Sequence, residues 1–254
     1  MGGIVIEKEI DIKMADGTCD AVLYYEDDGR QRPGAIHLPD IVGIRASHRE
    51  MARRLAGAGY VVLLLNPFYR TARSPVYDFE PKFPEERTMK RMGELAGPLT
   101  PEVMEQDASS YVNYLATQHC VSNARMGVVG YCFTGAMALR TAAARPDRIG
   151  AAASFHGGGL FTDAPTSPHL VLPRIPTSNG PRLYFGHAVN DQFMPQAGID
   201  KLNAALKAWG GKYESEVYDG AYHGWTVPDA PVYNKPQAER AFAKLTGLFA
   251  ATLK

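Results

Sequence analysis

The segment Met126-Gly-Val-Val-Gly-Tyr-Cys-Phe-Thr-Gly135 carries the strongest chemical signal in the chain. An apolar run enters Gly130-Tyr131-Cys132, and Ala-rich helical sequence follows at once. This is a strand–elbow–helix layout with cysteine where G-x-S-x-G has serine. The layout requires tightness. Gly130 lets the backbone approach closely, and Cys132 is then strained at the apex with its sulfur exposed. The helix that follows turns its N-terminus to that sulfur, which favours thiolate. Free cysteine is more often a small buried hydrophobe. Cys19 and Cys120 lack an elbow and are read that way.

A thiol nucleophile needs a base, and the base needs an orienting acid. Strand-like Arg182 to Phe185 leads to Gly186-His-Ala-Val-Asn-Asp191, with Pro195 just beyond. Strand-like Glu214 to Tyr218 leads to Asp219-Gly-Ala-Tyr-His223-Gly224. Nucleophile, acid and histidine thus stand behind three successive strands, in the order such a triad takes on this layout. Each residue alone has a plain reading, Asp191 as a turn former and His223 as a loop or core residue. Their joint placement is much harder to obtain by chance. The N–H of Phe133, directly after the nucleophile, is the expected first oxyanion donor, and the loop after strand Ala35 to Leu38 should supply the second. Tyr131, Phe193 and Trp225 flank the three residues and are expected to form apolar pocket walls. His156 ends strand Ile149 to Phe155 ahead of Gly157-Gly-Gly159. It opens on the same sheet edge, as a lining of the acyl pocket or as an ordinary loop histidine.

The elements that must position these residues alternate along the chain. Ile4 to Lys13 and Cys19 to Tyr25 read as a hairpin about Asp16-Gly17. Tyr60 to Leu65 is a continuous β-branched and leucine run, as expected of a strand covered on both faces. Helical spacing is read over Ser47 to Ala58, Pro101 to Gln118, Thr134 to Arg145, Ala197 to Trp209 and Ala238 to Leu253. Residues 67–100 hold five prolines among aromatics and charge, and are read as an excursion from the core. The alternation predicts one α/β domain over residues 1–254, with a mostly parallel sheet and helices on both faces. Chemistry then collects in loops at the C-terminal edge of the strands.

Twenty-seven basic and 27 acidic residues give a formal charge of zero. That removes the broad electrostatic argument for a nucleic acid or an anionic membrane as partner. The longest purely aliphatic run, Val61 to Leu65, is far short of the ~20 residues of a membrane span. Neither H-E-x-x-H nor C-x-x-C occurs, and the three glycines after His156 lack the G-x-G-x-x-G frame. Neither a metal hydrolase nor a dinucleotide site is expected. Glu7, Lys8 and Glu9 interrupt any signal-peptide core, and three scattered cysteines make no disulfide framework. A reducing, cytoplasmic setting is expected.

The assembled motifs resemble the dienelactone hydrolase family. Gly130-Tyr-Cys-Phe-Thr-Gly135 is similar to its G-Y-C-x-G-G elbow, and Gly186 to Asp191 with Pro195 to its G-x-x-D-x-x-x-P acid loop. Tyr218-Asp-Gly-Ala-Tyr-His-Gly-Trp225 is similar to Y-x-x-A-x-H-x-F, His37-Leu-Pro-Asp-Ile-Val-Gly43 to the segment with E-I-F-G, and Asn66-Pro-Phe-Tyr69 to P-D-L-Y. The resemblance runs from about residue 35 to the C-terminus. It implies an α/β-hydrolase fold, no cofactor, and hydrolysis of a small ester or lactone through Cys132, Asp191 and His223. It also implies Ile41 as the second oxyanion donor, and Asp40 in the place of a glutamate that contacts the resting thiol. The alternatives on the same machinery are a thioesterase or general carboxylesterase; the other class is a non-catalytic binding protein. Two departures stand out. Thr134 replaces the second elbow glycine, which a helix start tolerates. The family grips a substrate carboxylate with arginines, one of them shortly after the catalytic histidine. Here Gly224-Trp-Thr-Val-Pro228 follows instead. Arg87 is the position that resembles the other arginine.

Overall fold

The protein is described by a computed structural model covering residues 3–253. Strands β1 (Val5–Lys13) and β2 (Thr18–Glu26) form the expected hairpin, in register from Val5 opposite Glu26 to Lys13 opposite Thr18. β2 pairs antiparallel with β4 (Val61–Leu65), and every later pairing is parallel. With β3 (Gly34–Leu38), β5 (Met126–Tyr131), β6 (Ile149–Phe155), β7 (Arg182–Ala188) and β8 (Tyr213–Tyr218), the order is β1-β2-β4-β3-β5-β6-β7-β8.

Alternation along each strand splits the core in two, because successive side chains leave a strand on opposite faces. Val61, Leu63 and Leu65 join one cluster and Val62 and Leu64 the other. The first cluster is covered by α2 (Glu86–Ala96), α3 (Pro101–Ala116), α4 (Gly135–Ala144) and α5 (Gln196–Trp209). The second is covered by α1 (Ala46–Gly57) and α6 (Lys235–Thr252), through Leu55, Leu245 and Phe249. Local chemistry fixes the helix ends. Thr100 accepts from the Val103 amide ahead of Pro101, and Gly210 ends α5 at φ 75°. Among the described residues no helix is long and apolar enough to cross a membrane.

The excursion at 67–100 departs from expectation. It contains α2, and its Phe68, Tyr69, Val76, Tyr77, Leu95 and Leu99 are buried in the first cluster. Its prolines and charges hide this in sequence, since α2 buries only Thr88 and Leu95. The excursion folds back over the β3–α1 loop. A Cβ on Gly43, whose φ is +82°, would stand 2.8 Å from Val76.

Candidate active site

The elbow forms where β5 meets α4. Cys132 adopts φ 56°, a left-handed conformation that a non-glycine residue rarely holds, and a short 3-10 turn, Cys132–Thr134, runs into α4. Gly130 has no alternative at its position, because a Cβ there would lie 2.1 Å from the Thr134 carbonyl oxygen. Thr134 is more than a tolerated departure. Its hydroxyl accepts from the Tyr131 amide at 2.9 Å and stands 2.9 Å from the Leu38 carbonyl, to which it donates. It therefore pins the elbow to β3, the strand that leads into the loop of Asp40 and Ile41.

Asp191 and His223 meet across the loops after β7 and β8. Asp191 Oδ2 lies 2.7 Å from His223 Nδ1, while Asp191 Oδ1 accepts from the Phe193 amide at 2.8 Å. The Val189 amide donates to the Ala221 carbonyl and ties the two loops together. Burial on its own would lower the His223 pKa; hydrogen bonds to Asp191 and Cys132 and the charge of both outweigh it and push the pKa up to about 10. Cys132 is near enough to the imidazole to raise its pKa, and the buried Nε2 makes no hydrogen bond among the described residues. Catalytic hydrogen bonds are commonly loose until substrate binds.

The amides of Ile41 and Phe133 donate no hydrogen bond within the chain among the described residues, and both residues pack on the first core cluster with Cys132. The expected contact between Asp40 and the thiol is absent. Asp40 is turned away, with Oδ1 2.7 Å and Oδ2 2.9 Å from the Arg45 guanidinium, and Oδ1 also accepts from the Val42 amide. Burial opposes its ionisation, but His48 and Arg45 hold its carboxyl well below the usual range. A side chain so paired has no lone pair facing the sulfur.

The expected pocket walls divide. Phe193 is half exposed, with its ring centroid 4.8 Å from that of His223. Tyr131 and Trp225 are not walls of the thiol's pocket. Strand alternation sends Tyr131 into the second core cluster, where it lines a cavity of about 230 Å³ between α1 and α6. Trp225 is fully buried in the same cluster, against Tyr218 and His156. His156 is also buried, at φ 41°, with Nε2 2.8 Å from the Thr226 hydroxyl and its ring edge-on to His223. Burial and the neighbouring His223 charge keep it neutral. It backs the imidazole and does not open on the pocket. Arg87 lies on the outer side of α2, stacked on Phe79 and 3.3 Å from Asp78, with its side chain 65% exposed.

Sequence reasoning missed Tyr77, Arg91 and Arg45. Tyr77 is buried in the excursion, where its hydroxyl feels the charges of Arg91, Asp40 and Cys132. Arg91 Nε donates to the Val76 carbonyl beside it. No local motif marks these residues, and the Arg45–Asp229 pair joins positions 184 residues apart.

The profile of the dienelactone hydrolase family matches residues 19–253. A carboxymethylenebutenolidase of Rhodococcus opacus is 29% identical over 201 residues, which are 76% of this chain and 72% of that one. A Klebsiella pneumoniae subsp. pneumoniae structure described as "Putative Dienelactone Hydrolase" superposes with a TM-score of 0.85 at 20% identity, over 98% of this chain and 99% of its own. A Pyrobaculum calidifontis esterase superposes at 0.63 and 19% identity, over 96% and 85%. The fold is that of the α/β-hydrolases.

Proposed function

The chain belongs to the dienelactone hydrolase family, and from that premise we propose that it hydrolyses a small carboxylic ester or lactone through Cys132, His223 and Asp191, by way of a thioester on Cys132. The observation that carries this reading is the 2.7 Å contact between His223 and Asp191, with Cys132 beside the same imidazole at a strained elbow. The name of the Rhodococcus relative supports a lactone as one substrate form.

In this reading the Cys132 proton already rests on His223 Nε2, so that Sγ attacks the acyl carbon as the thiolate of an ion pair. The carbonyl π electrons move to oxygen, and the amides of Ile41 and Phe133 hold the oxyanion. Collapse expels the alkoxide, which takes the proton from His223 and leaves as alcohol; in a lactone it stays tethered. His223 next deprotonates a water, the resulting hydroxide attacks the thioester, and the acid is released as the thiolate leaves. Asp191 keeps the imidazole in one tautomer and orientation throughout. The eight strands that form one sheet among the described residues support a single α/β-hydrolase domain, and three free thiols support a reducing, cytoplasmic compartment.

The test is a panel of neutral p-nitrophenyl esters hydrolysed by the wild-type protein and by Cys132→Ala, with circular dichroism to check the fold. A folded variant should lose at least about a thousandfold in kcat/KM. A folded Cys132→Ala that keeps more than about a tenth of the wild-type rate overturns the nucleophile assignment.

A further inference from the structure

We propose that Arg45 is a positioning residue that ties the loop carrying the Ile41 amide to the loop carrying His223, so that oxyanion donor and general base keep one fixed geometry. The idea rests on the reading of the site given above. Arg45 stands at the start of α1 in extended backbone, with φ −153°. All five of its N–H groups are placed within the chain. Nε and Nη2 donate to Asp229 at 2.8 and 3.0 Å; Nη1 and Nη2 donate to Asp40 at 2.7 and 2.9 Å; Nη1 also donates to the Gly43 carbonyl at 3.2 Å. A planar guanidinium holds such a double fork rigidly, which an ammonium cannot do.

Each end of the tie reaches one half of the proposed site. Asp40 directly precedes Ile41, so the Ile41 N–H belongs to the Asp40–Ile41 peptide. The carbonyl of that peptide accepts from the Gly43 amide at 2.9 Å, and the Gly43 carbonyl is itself held by Arg45. The neighbouring peptides are fixed too, with the Val42 amide on Asp40 Oδ1 and the Asp40 amide on His48 Nε2. The orientation of the one free N–H in this turn is therefore set by the groups that Arg45 gathers. Asp229 lies in the loop between β8 and α6 that also holds His223. With two carboxylates around one guanidinium and no N–H left over, Arg45 has nothing to offer a substrate carboxylate. Its place in the reaction is to hold the two loops at a fixed separation. A displacement of about 1 Å in such a donor can cost on the order of a hundredfold in rate.

The experiment compares wild type, Arg45→Met and Asp229→Ala in two reactions of the same thiol. One is steady-state hydrolysis of a neutral p-nitrophenyl ester, which needs the oxyanion donors. The other is alkylation of Cys132 by iodoacetamide, which develops no oxyanion. In Arg45→Met, kcat should fall roughly 10- to 100-fold, with KM and the alkylation rate within about threefold of wild type. Asp229→Ala cuts only the arm between the loops, at a half-exposed side chain, and should lower kcat by about 3- to 10-fold. The double variant should be no slower than Arg45→Met, since the second cut removes an arm already lost. Hydrolysis within about twofold of wild type in Arg45→Met, or a loss of alkylation in proportion to hydrolysis, overturns the proposal. Cys132→Ala run alongside separates the two ideas. If it is inactive while Arg45→Met is unaffected, the tie alone falls; if it retains activity, the nucleophile reading falls and the tie with it.

Discussion

Asp191 commits both oxygens, one to the imidazole and one to its own loop at Phe193, so it can neither rotate nor leave. The consequence is measurable in His223. Its pKa is pushed up to about 10 from an ordinary 6.5, against burial, by Asp191 and Cys132. A pKa raised in the folded state stabilises the fold fully below the unfolded value, and the contribution fades as pH rises through the folded one. NMR of the His223 ring nitrogens should therefore show a midpoint near 10 in the wild type and a lower one in Asp191→Asn. Urea unfolding of that variant should show its larger destabilisation at pH 6 and its smaller one at pH 10. A deficit that grows with pH would mean that the pair does not store its energy in the charged imidazole.

At the scale of the element, the elbow is held by more than its glycine. Thr134 donates to the Leu38 carbonyl and accepts from the Tyr131 amide, and so couples the Cys132 turn to β3. Thr134→Val keeps the shape and leaves both buried groups unpaired. It should cost about 1–3 kcal/mol in urea unfolding and lower kcat as well, because the β3–α1 loop is released from the elbow. A loss of stability with unchanged kcat would separate the hydroxyl from the site. This role was not visible in the sequence. The elbow itself was, because G-Y-C-F-T-G is local; the Leu38 partner lies 96 residues away. The same limit explains Tyr131 and Trp225. Standing next to a site residue in sequence does not put a side chain on the same face, and alternation carried Tyr131 to the far side of the sheet. The Asp191–His223 contact could be anticipated because each residue follows a strand-like segment, apolar in Leu183–Phe185 and alternating in Tyr213–Tyr218. Arg45, Tyr77 and Arg91 could not, since tertiary packing gives Arg45 its Asp229 partner and sets Tyr77 beside Arg91 and Cys132.

For the molecule as a whole, all the proposed chemistry lies at one end of the sheet, at the C-terminal ends of β3, β5, β7 and β8, and the excursion closes over it. Substrate charge is decided there. Arg45 is saturated by Asp40 and Asp229, Arg87 stands outside on Phe79, and a buried Trp225 follows His223 where an arginine would grip a carboxylate. Arg91 acts on the buried Tyr77, and Glu94 already pairs with it at 3.0 Å. Losing one of two guanidinium partners for a buried carboxylate forfeits about 2–4 kcal/mol, or roughly 30- to 1000-fold in affinity. Neutral aryl esters should therefore surpass dienelactone in kcat/KM on one enzyme preparation. Arg87→Ala should change the neutral-ester rate by less than about tenfold, since its side chain is largely solvated. Any residual activity on the carboxylate-bearing lactone should depend on Arg91→Ala and be indifferent to Arg87→Ala. A preference for dienelactone that Arg87→Ala abolishes would mean that α2 turns its outer face inward when substrate binds, and that the charge at this end of the sheet has been read with the wrong arginine.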